Sequence, residues 1–271
     1  MQHIKQQLNH KHPPPNQSIT PKQQTILHLL YRFRFLNRLQ IQQYLSHTNH
    51  KRIILWLNDL TTKNYITRTY SKTFPNNTKP AIYSLALNTI AWLKTQPDID
   101  HNALHKLYRE HERSTGFIHH CLLLATLELD LRQQPKTAPK QTLAVQSDYP
   151  TLPQATLLTT LKPHGFITKN DGGTAKHYLI ELLTDLPELR LKKRIKTYVA
   201  FYLSNEWEGA TSEAFPTVLF VCPNLPNMID LKHFTKKLLI AKEATALEVL
   251  VTTLEEITTQ GIAGEIWEGI L

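Results

Sequence analysis

Cysteines and long apolar runs are scarce in this chain of 271 residues, and each scarcity excludes a class of protein. The two cysteines, Cys121 and Cys222, lie far apart in apolar surroundings. This is typical of buried thiols in a reducing compartment and not of a disulfide or a zinc motif. No stretch approaches the roughly 18 to 20 apolar residues of a membrane span, and residues 1–17 lack the apolar run of a secretory signal. We therefore expect a cytoplasmic protein with no membrane partner.

Acidic residues are also scarce, but only in residues 1–97. That segment carries thirteen lysines and arginines against one acid, Asp59, a net charge of +12, whereas the rest of the chain carries 18 bases and 21 acids, a net charge of −3. Because phosphate contacts release condensed counterions, a field concentrated at one end favours a polyanionic partner, with duplex DNA the leading one. A basic tail that serves only solubility is the alternative.

The order of helix and strand patterns divides the chain into four parts. Residues 1–19 are rich in Gln, Asn and His and contain three consecutive prolines, so we expect a disordered arm. Residues 20–97 predict three helices, a two-stranded hairpin and a fourth helix, which is the order of a winged helix-turn-helix. Residues 98–113 predict a linker helix. Residues 114–271 predict a helix, three strands, a helix, a strand, a helix and a strand.

These patterns predict a mixed fold of helices and strands, in which a winged helix-turn-helix precedes an α/β sandwich with a central mixed sheet. A hydrophobic fraction of 41% is sufficient for such cores. In the second domain, the segment NDGGTAK (170–176) between two apolar runs predicts a hairpin turn. Residues 156–161 are a candidate strand, and residues 188–203 predict an amphipathic helix with Leu189 and Ile195 on its inner side.

The third helix, predicted to begin near Thr48 or Asn49, carries the candidate recognition surface. At about 100° per residue, Ile53, Ile54, Leu57 and Leu60 gather on one side, and polar residues including Asp59 face the other. In a major groove, Lys and Arg favour guanine, Asn favours adenine, and an apolar side chain contacts thymine methyl groups. The hairpin adds candidates for phosphate or minor-groove contacts. The predicted DNA-binding residues are Lys51, Arg52, Leu55, Asn58, Thr62, Arg68, Lys72 and Lys79. The alternative is an ordinary solvated face of a small helical bundle.

Several segments, in order, carry a family resemblance: FRFLNRLQIQQYL, LTTKNYITR, AIYSLALNTIAWL, GFIHHCLLLATLELDL, KPHGF, HYLIELLTD, LRLKKRIKTYVAFY and PTVLFVCPN. Through them, from about Thr20 to about Val251, the chain resembles the replication-relaxation family of winged-helix proteins, which is found on plasmids and other mobile elements. The resemblance implies a role in plasmid replication, relaxation or transcriptional control. It also implies a second domain similar to the PD-(D/E)xK nuclease-like core.

By the same resemblance, such a core holds a divalent metal through an acid after a proline and through an acid and a base two residues apart on the next strand. Here Pro163 is followed by His164 where the acid is expected. Glu181 remains on the next strand, but Leu183 stands where the second polar residue belongs. We therefore predict a degenerate core with no metal and no cofactor. Glu181 is the one remaining candidate for catalysis, and an enzyme is not expected.

Alternatives stay open for the acidic residues and for two adjacent histidines. Glu128, Asp148, Asp171 or Asp185 could supply relocated ligands, which would make the protein a metal-dependent DNA nuclease. Glu181 could instead pair with Lys192, Arg194 or Lys196 on the following helix. His119 and His120, adjacent on a helix, diverge by about 100° and predict helix packing plus one exposed imidazole rather than a metal site.

The sequence therefore predicts a duplex DNA-binding protein of a plasmid or mobile element that recognises a base sequence. Its second domain is expected to be a non-catalytic scaffold for dimerisation, giving a homodimer, or for partner binding. The basic run KKRIK (192–196) either extends the nucleic-acid surface or is a solvated face. A protein-interaction module for an acidic partner is the remaining alternative.

Overall fold

The computed structural model describes residues 18–73, 75–97, 99, 104–135, 137–184 and 188–271. The chain forms two compact units, Met1–Glu112 and Arg113–Leu271. The predicted arm falls outside the described residues up to residue 17, as does Asp185, one of the alternative metal ligands. Within the described ranges, no helix is both long enough and apolar enough to cross a membrane.

The first unit contains the predicted three helices, two hairpin strands and fourth helix, together with a short first strand that was not predicted. Its helices are α1 (Pro21–Phe33), α2 (Arg38–Tyr44), α3 (His50–Thr62) and α4 (Leu87–Leu93), followed by a 3-10 helix (His105–Glu112). Its strands are β1 (Leu36–Asn37), β2 (Ile66–Thr69) and β3 (Ile82–Leu85). They form an antiparallel sheet in the order β1-β3-β2, so the β2–β3 hairpin follows directly after α3.

Side-chain caps set where the first three helices begin. Thr20 and Gln23 form a reciprocal capping box at α1, and Asn37 and Gln40 form a second one at α2. The side chain of Asn49 accepts hydrogen bonds from the backbone N–H groups of Lys51 at 3.0 Å and Arg52 at 3.3 Å. These bonds satisfy amides that have no partner within the helix, so α3 begins where the sequence predicted.

The inner side of α3 differs from the prediction at two positions. Ile53, Leu57 and Leu60 are fully buried against the rest of the unit, but Ile54 is 38% exposed. It lies about 100° from Ile53 around the helix and so misses the narrow buried stripe. Asp59, expected on the outer face, is only partly exposed and is held against α1 by Gln23.

The second unit contains a sheet with helices between its strands. Its helices are α5 (Thr115–Arg132), α6 (Ala155–Leu161), α7 (Glu188–Leu203), α8 (Glu206–Thr211), α9 (Leu225–Ala241) and α10 (Leu254–Gln260). Its strands are β4 (Lys140–Val145), β5 (Gly165–Asp171), β6 (Thr174–Leu182), β7 (Thr217–Cys222), β8 (Val249–Thr253) and β9 (Glu268–Gly269). The structure thus confirms the predicted mixed α and β fold class with a central mixed sheet.

The six strands lie in the order β4-β5-β6-β7-β8-β9. Pairing is antiparallel from β4 to β6, parallel from β6 to β8, and antiparallel again between β8 and β9. The β5–β6 hairpin turns at Gly172 and Gly173, whose φ values of 57° and 97° favour glycine. β6 therefore occupies an interior position, with a partner strand on each side, and its C-terminal half is buried.

Two predictions for the second unit are wrong. Residues 156–161, expected as a strand, belong to α6, where Leu157, Leu158 and Leu161 are buried at helical spacing. The threonines that suggested a strand return their hydroxyls to helix carbonyls, as Thr160 does to Thr156. In α7, Leu189 is 83% exposed, and Leu191 takes the inner position with Ile195. Leu189 and Leu191 point in nearly opposite directions, because residues i and i+2 of a helix are about 200° apart around its axis.

We predict that Gly165→Ala destabilises the second unit. An added Cβ would lie 2.6 Å from Leu143 Cδ1 and 2.8 Å from Ile180 Cγ2, in the middle of the sheet. Overpacking of this kind costs about 1–3 kcal/mol in the free energy of unfolding, measured by urea denaturation.

The matched control is Gly209→Ala in α8, where an added Cβ meets no atom within 4 Å. Because alanine favours a helix over glycine by about 0.5–1 kcal/mol, this variant is expected to be unchanged or slightly more stable. Equal losses in both variants would show that the close approach at Gly165 has no energetic weight.

Candidate nucleic-acid interface and the buried carboxylate site

The outer face of α3 is exposed along its length. Lys51, Leu55, Asn58 and Thr62 all face solvent, and Leu55 is 61% exposed. A surface that combines an exposed leucine with polar side chains can meet both the edges of bases and thymine methyl groups. Arg52 is also exposed, but on the flank of the helix beside Trp56.

Asp59, the one acid in residues 1–97, does not oppose this surface. Its Oδ2 accepts hydrogen bonds from Gln23 Nε2 at 2.6 Å and from Lys63 Nζ at 2.9 Å. Burial alone would raise the pKa of Asp59, but the bonds from Lys63 and Gln23 outweigh it and lower the pKa. The outer face of α3, all of whose residues the structure describes, therefore presents no unpaired acid to a polyanion.

His47 on the turn between α2 and α3 and Trp56 on α3 are two aromatic side chains that the sequence analysis missed. His47 Nδ1 accepts a hydrogen bond from the Asn49 backbone N–H at 3.2 Å. Its ring lies 5.2 Å from the Trp56 ring in an edge-on arrangement. The Arg52 guanidinium lies 5.8 Å from the centroid of the same Trp56 ring. Trp56 follows Arg52 by four residues, and this helical spacing was the signal available in the sequence.

The predicted wing residues lie along the β2–β3 hairpin. Arg68 is exposed on β2, and its guanidinium lies 5.3 Å from the ring of Tyr70. Tyr70 in turn donates a hydrogen bond to the Asn77 carbonyl at 2.8 Å, which ties together the two sides of the loop. Lys72 and Lys79 are exposed on the same loop. The hairpin thus carries three cations near a fixed loop, without an acid between Ile66 and Leu85.

Glu181 lies on β6 in the second unit, with a side chain that is 0% exposed. Of the three predicted basic partners, Arg194 on α7 is the one that pairs with it. Arg194 Nε donates to Glu181 Oε1 at 2.9 Å, and both the second terminal nitrogen of Arg194 and the Tyr198 hydroxyl donate to the same oxygen. Arg194 also donates to the carbonyls of Leu161 at 2.6 Å and Lys162 at 2.7 Å. The carboxylate is thus held by an internal cation.

His164 accepts a backbone hydrogen bond at the place where an acid was expected. Its Nδ1 receives the Leu182 N–H at 2.9 Å, so that nitrogen carries a lone pair and the neutral ring carries its proton on Nε2. Burial, and secondarily the Arg194 charge, lowers the pKa of His164 to about 3. Although Nδ1 lies 3.1 Å from Glu181 Oε2, a neutral ring that accepts at Nδ1 forms no ion pair with a carboxylate.

Glu181 Oε2 is buried and receives no hydrogen bond from any residue that the structure describes. Burial raises the pKa of Glu181, and the charge and hydrogen bonds of Arg194 offset only part of that effect. His120 packs its ring edge-on against His164, with 4.3 Å between centroids, and adds a smaller opposing effect. His119 is exposed, so the predicted arrangement of one packed and one exposed imidazole is confirmed.

The residues around Glu181 do not fit a divalent metal. Leu183 is buried in the core where a base would stand. Glu128 pairs with Arg132 on α5, and Asp148 accepts the Val145 N–H at 2.9 Å. Across the described parts of the chain, no three His, Cys, Asp or Glu side chains come together in a way that could hold a metal ion. Magnesium requires several oxygen ligands, whereas one oxygen of Glu181 is already occupied by Arg194 and Tyr198.

Both cysteines are buried and form no disulfide within the described chain, as predicted. Burial raises the pKa of Cys222 to about 12, so its reactive thiolate form is strongly disfavoured.

Comparisons with known proteins give one family match. The replication-relaxation family model matches residues 27–218. No curated protein matches the chain.

Two solved structures of the restriction endonuclease FokI align weakly. One has 14% sequence identity and a TM-score of 0.32, with 89% of this chain and 43% of that chain covered. The other, FokI bound to DNA, has 15% identity and a TM-score of 0.25, with 89% and 44% covered. The chain thus spans less than half the length of these solved chains. Scores this low carry no argument about function.

We predict that His164 makes the free energy of unfolding fall as the pH is lowered. Above pH 6.5, its ordinary pKa, the imidazole is neutral in both the folded and the unfolded chain. Below that value the unfolded chain takes up a proton that the folded chain does not bind until about pH 3. Stability is therefore lost progressively across this window, by up to about 2 kcal/mol down to about pH 5.

The measurement compares urea unfolding of the wild type and His164→Asn at about pH 7.5 and about pH 5. Asparagine places an amide oxygen where Nδ1 accepts the Leu182 N–H, but it does not titrate. The variant is expected to lose less stability on acidification than the wild type. The same pH dependence in both proteins would contradict a His164 that is neutral in the folded chain.

Proposed function

Because the chain belongs to the replication-relaxation family, we propose that it is a duplex DNA-binding protein of a plasmid or another mobile element. On this proposal the first unit is a winged helix-turn-helix in which α3 enters the major groove and the β2–β3 hairpin is the wing. The protein recognises a base sequence and acts in replication, relaxation or transcriptional control.

The outer surface of α3 carries the proposal. It combines exposed side chains that suit base edges with a unit whose first 97 residues have a net charge of +12. The one acid of that segment is paired with Lys63 and Gln23. A surface of this kind gains free energy from counterion release at every phosphate it meets. An ordinary solvated face does not need a charge so one-sided.

The second unit is proposed to have no catalytic role. Glu181 is held by Arg194 and Tyr198, and Leu183 contributes a methyl-rich side chain to the core instead of a base. The unit is then a scaffold, either for a homodimer or for another partner. A homodimer fits a DNA-binding protein of this kind, since two copies would contact two half-sites.

We predict that the full chain binds duplex DNA with strong salt dependence. If it contacts 6 to 10 phosphates, its affinity falls about 10³- to 10⁵-fold between 50 and 200 mM salt. On the wing, Lys72→Ala and Lys79→Ala are each expected to weaken binding to all DNA sequences alike and to lower the salt slope of the affinity by about 1. Fluorescence anisotropy over a salt series measures both quantities. No binding at low salt, or binding that salt does not change, would exclude this function.

We predict that Asn58→Ala relaxes the preference for one base pair by roughly 1–3 kcal/mol, because an exposed amide at this position on α3 is suited to the adenine edge. Selection from a random duplex library compares the sequence preferences of the variant and the wild type. An unchanged preference in Asn58→Ala would remove that residue from the recognition surface.

We predict no nicking of supercoiled plasmid by the full chain with magnesium or manganese. The buried carboxylate is paired with an arginine, and the described residues include no group of three or more His, Cys, Asp or Glu side chains that could hold a metal ion. Glu181→Gln is expected to leave DNA affinity little changed, because the site lies on β6 and not on α3. Nicking by the wild type that disappears in Glu181→Gln would establish the alternative, a metal-dependent nuclease.

A further inference from the structure

We infer that α3 divides its DNA contacts between two surfaces, with base edges met by its outer face and a backbone phosphate held by His47, Arg52 and Trp56. We call these three residues the flank cluster. The inference rests on the proposed function, and it moves Arg52 from the base-contacting group, where its sequence position placed it, to the phosphate-contacting group.

The direction of each side chain around α3 is the first argument. At about 100° per residue, Lys51, Leu55, Asn58 and Thr62 fall within about 60° of one another, whereas Arg52 lies about 90° from the centre of that group. The buried stripe of Ile53 and Leu57 lies on the opposite side. When the outer face points to the floor of the groove, a side chain on the flank points towards the groove wall, where the phosphates lie.

The contact between Arg52 and Trp56 is the second argument. A guanidinium 5.8 Å from the centroid of an indole ring is within the range of a cation–π interaction. Trp56 is half-buried and is fixed by His47 on the turn. The ring therefore holds the guanidinium on the flank and reduces the side-chain entropy lost when it binds. The contact also draws Arg52 away from the outer face.

Hydrogen-bond polarity is the third argument. The backbone N–H of Asn49 occupies the Nδ1 lone pair of His47, so the neutral ring has its Nε2–H as a donor. Arg52 offers only donors. Asp59, further along the same flank, is occupied by Gln23 and Lys63. The flank cluster thus presents donors without a competing acid, which suits the oxygen atoms of a phosphate and has no preference among bases.

Lys51 and Arg52 provide a matched pair for the test. They are adjacent and exposed in the first turn of α3, and each alanine substitution removes one positive charge. The full chain carrying Arg52→Ala, Lys51→Ala, Trp56→Leu, or Arg52→Ala together with Trp56→Leu, is compared with the wild type by library selection and by a salt series. Circular dichroism and thermal unfolding confirm that each variant is folded.

Arg52→Ala is expected to weaken binding to all DNA sequences alike and to leave the selected sequence unchanged. It should also lower the salt slope of the affinity by about 0.9. Lys51→Ala is expected to relax the preference at one base pair by roughly 5- to 150-fold. Trp56→Leu should weaken binding in the same sequence-independent way as Arg52→Ala. Because the ring acts through Arg52, Trp56→Leu should add little when Arg52 is already alanine.

Two different failures are distinguishable. If the wild type itself does not bind duplex DNA, the proposed function is wrong. If the wild type binds but Arg52→Ala changes the selected sequence as much as Lys51→Ala does, the division of contacts is wrong and the function stands. Additive losses from Arg52→Ala and Trp56→Leu would also overturn the positioning role of Trp56.

Discussion

The buried carboxylate of Glu181 is the constraint on which the second unit depends. An ionised carboxylate with no solvent exposure needs a compensating charge and donors, and removing one partner of a buried pair typically costs about 3–5 kcal/mol. Arg194 supplies the charge, and its remaining donors bind the carbonyls at the end of α6. One side chain therefore joins β6, α6 and α7. The position of α7 over the sheet is tied to the same contact that neutralises Glu181.

The same contact supplies the charge that this carboxylate needs. Without a partner, Glu181 would be an unpaired buried charge. Arg194 provides that partner, and the neighbouring His164 accepts the Leu182 N–H. The arrangement is a satisfied polar network with one exception, Oε2 of Glu181, beside the Nδ1 of His164.

Charge compensation has a parallel in the first unit, with the opposite consequence. Residues 1–97 contain thirteen bases and one acid, Asp59. Its carboxylate accepts hydrogen bonds from Gln23 on α1 and from Lys63 at the end of α3. The pairing fixes the orientation of α3 and leaves its outer face without an acid. In the second unit a base is used to neutralise a buried acid. In the first, the acid is used internally and the bases remain available to a polyanion.

Much of the fold could be predicted from the sequence because it depends on local chemistry. The caps at Thr20, Asn37 and Asn49, the hairpin turn at Gly172 and Gly173, and the spacing of apolar residues in α5 act over a few residues. The prediction from local patterns failed where the same residue pattern is compatible with both a strand and a helix. Residues 155–161 are rich in threonine and leucine, and the burial of leucines at helical spacing decided for a helix.

The sequence by itself determined the one-sided charge, most of the order of elements, and the presence of His164 and Leu183 where the resemblance leads one to expect an acid and a base. Only the tertiary structure decided that Arg194 pairs with Glu181, that Asp59 turns towards Gln23, and that His47 contacts Trp56. These contacts join residues from different elements of the fold. Sequence spacing cannot identify which of several equally charged bases pairs with a buried carboxylate. The packing of the helices decides which base comes within hydrogen-bond distance of the buried oxygen.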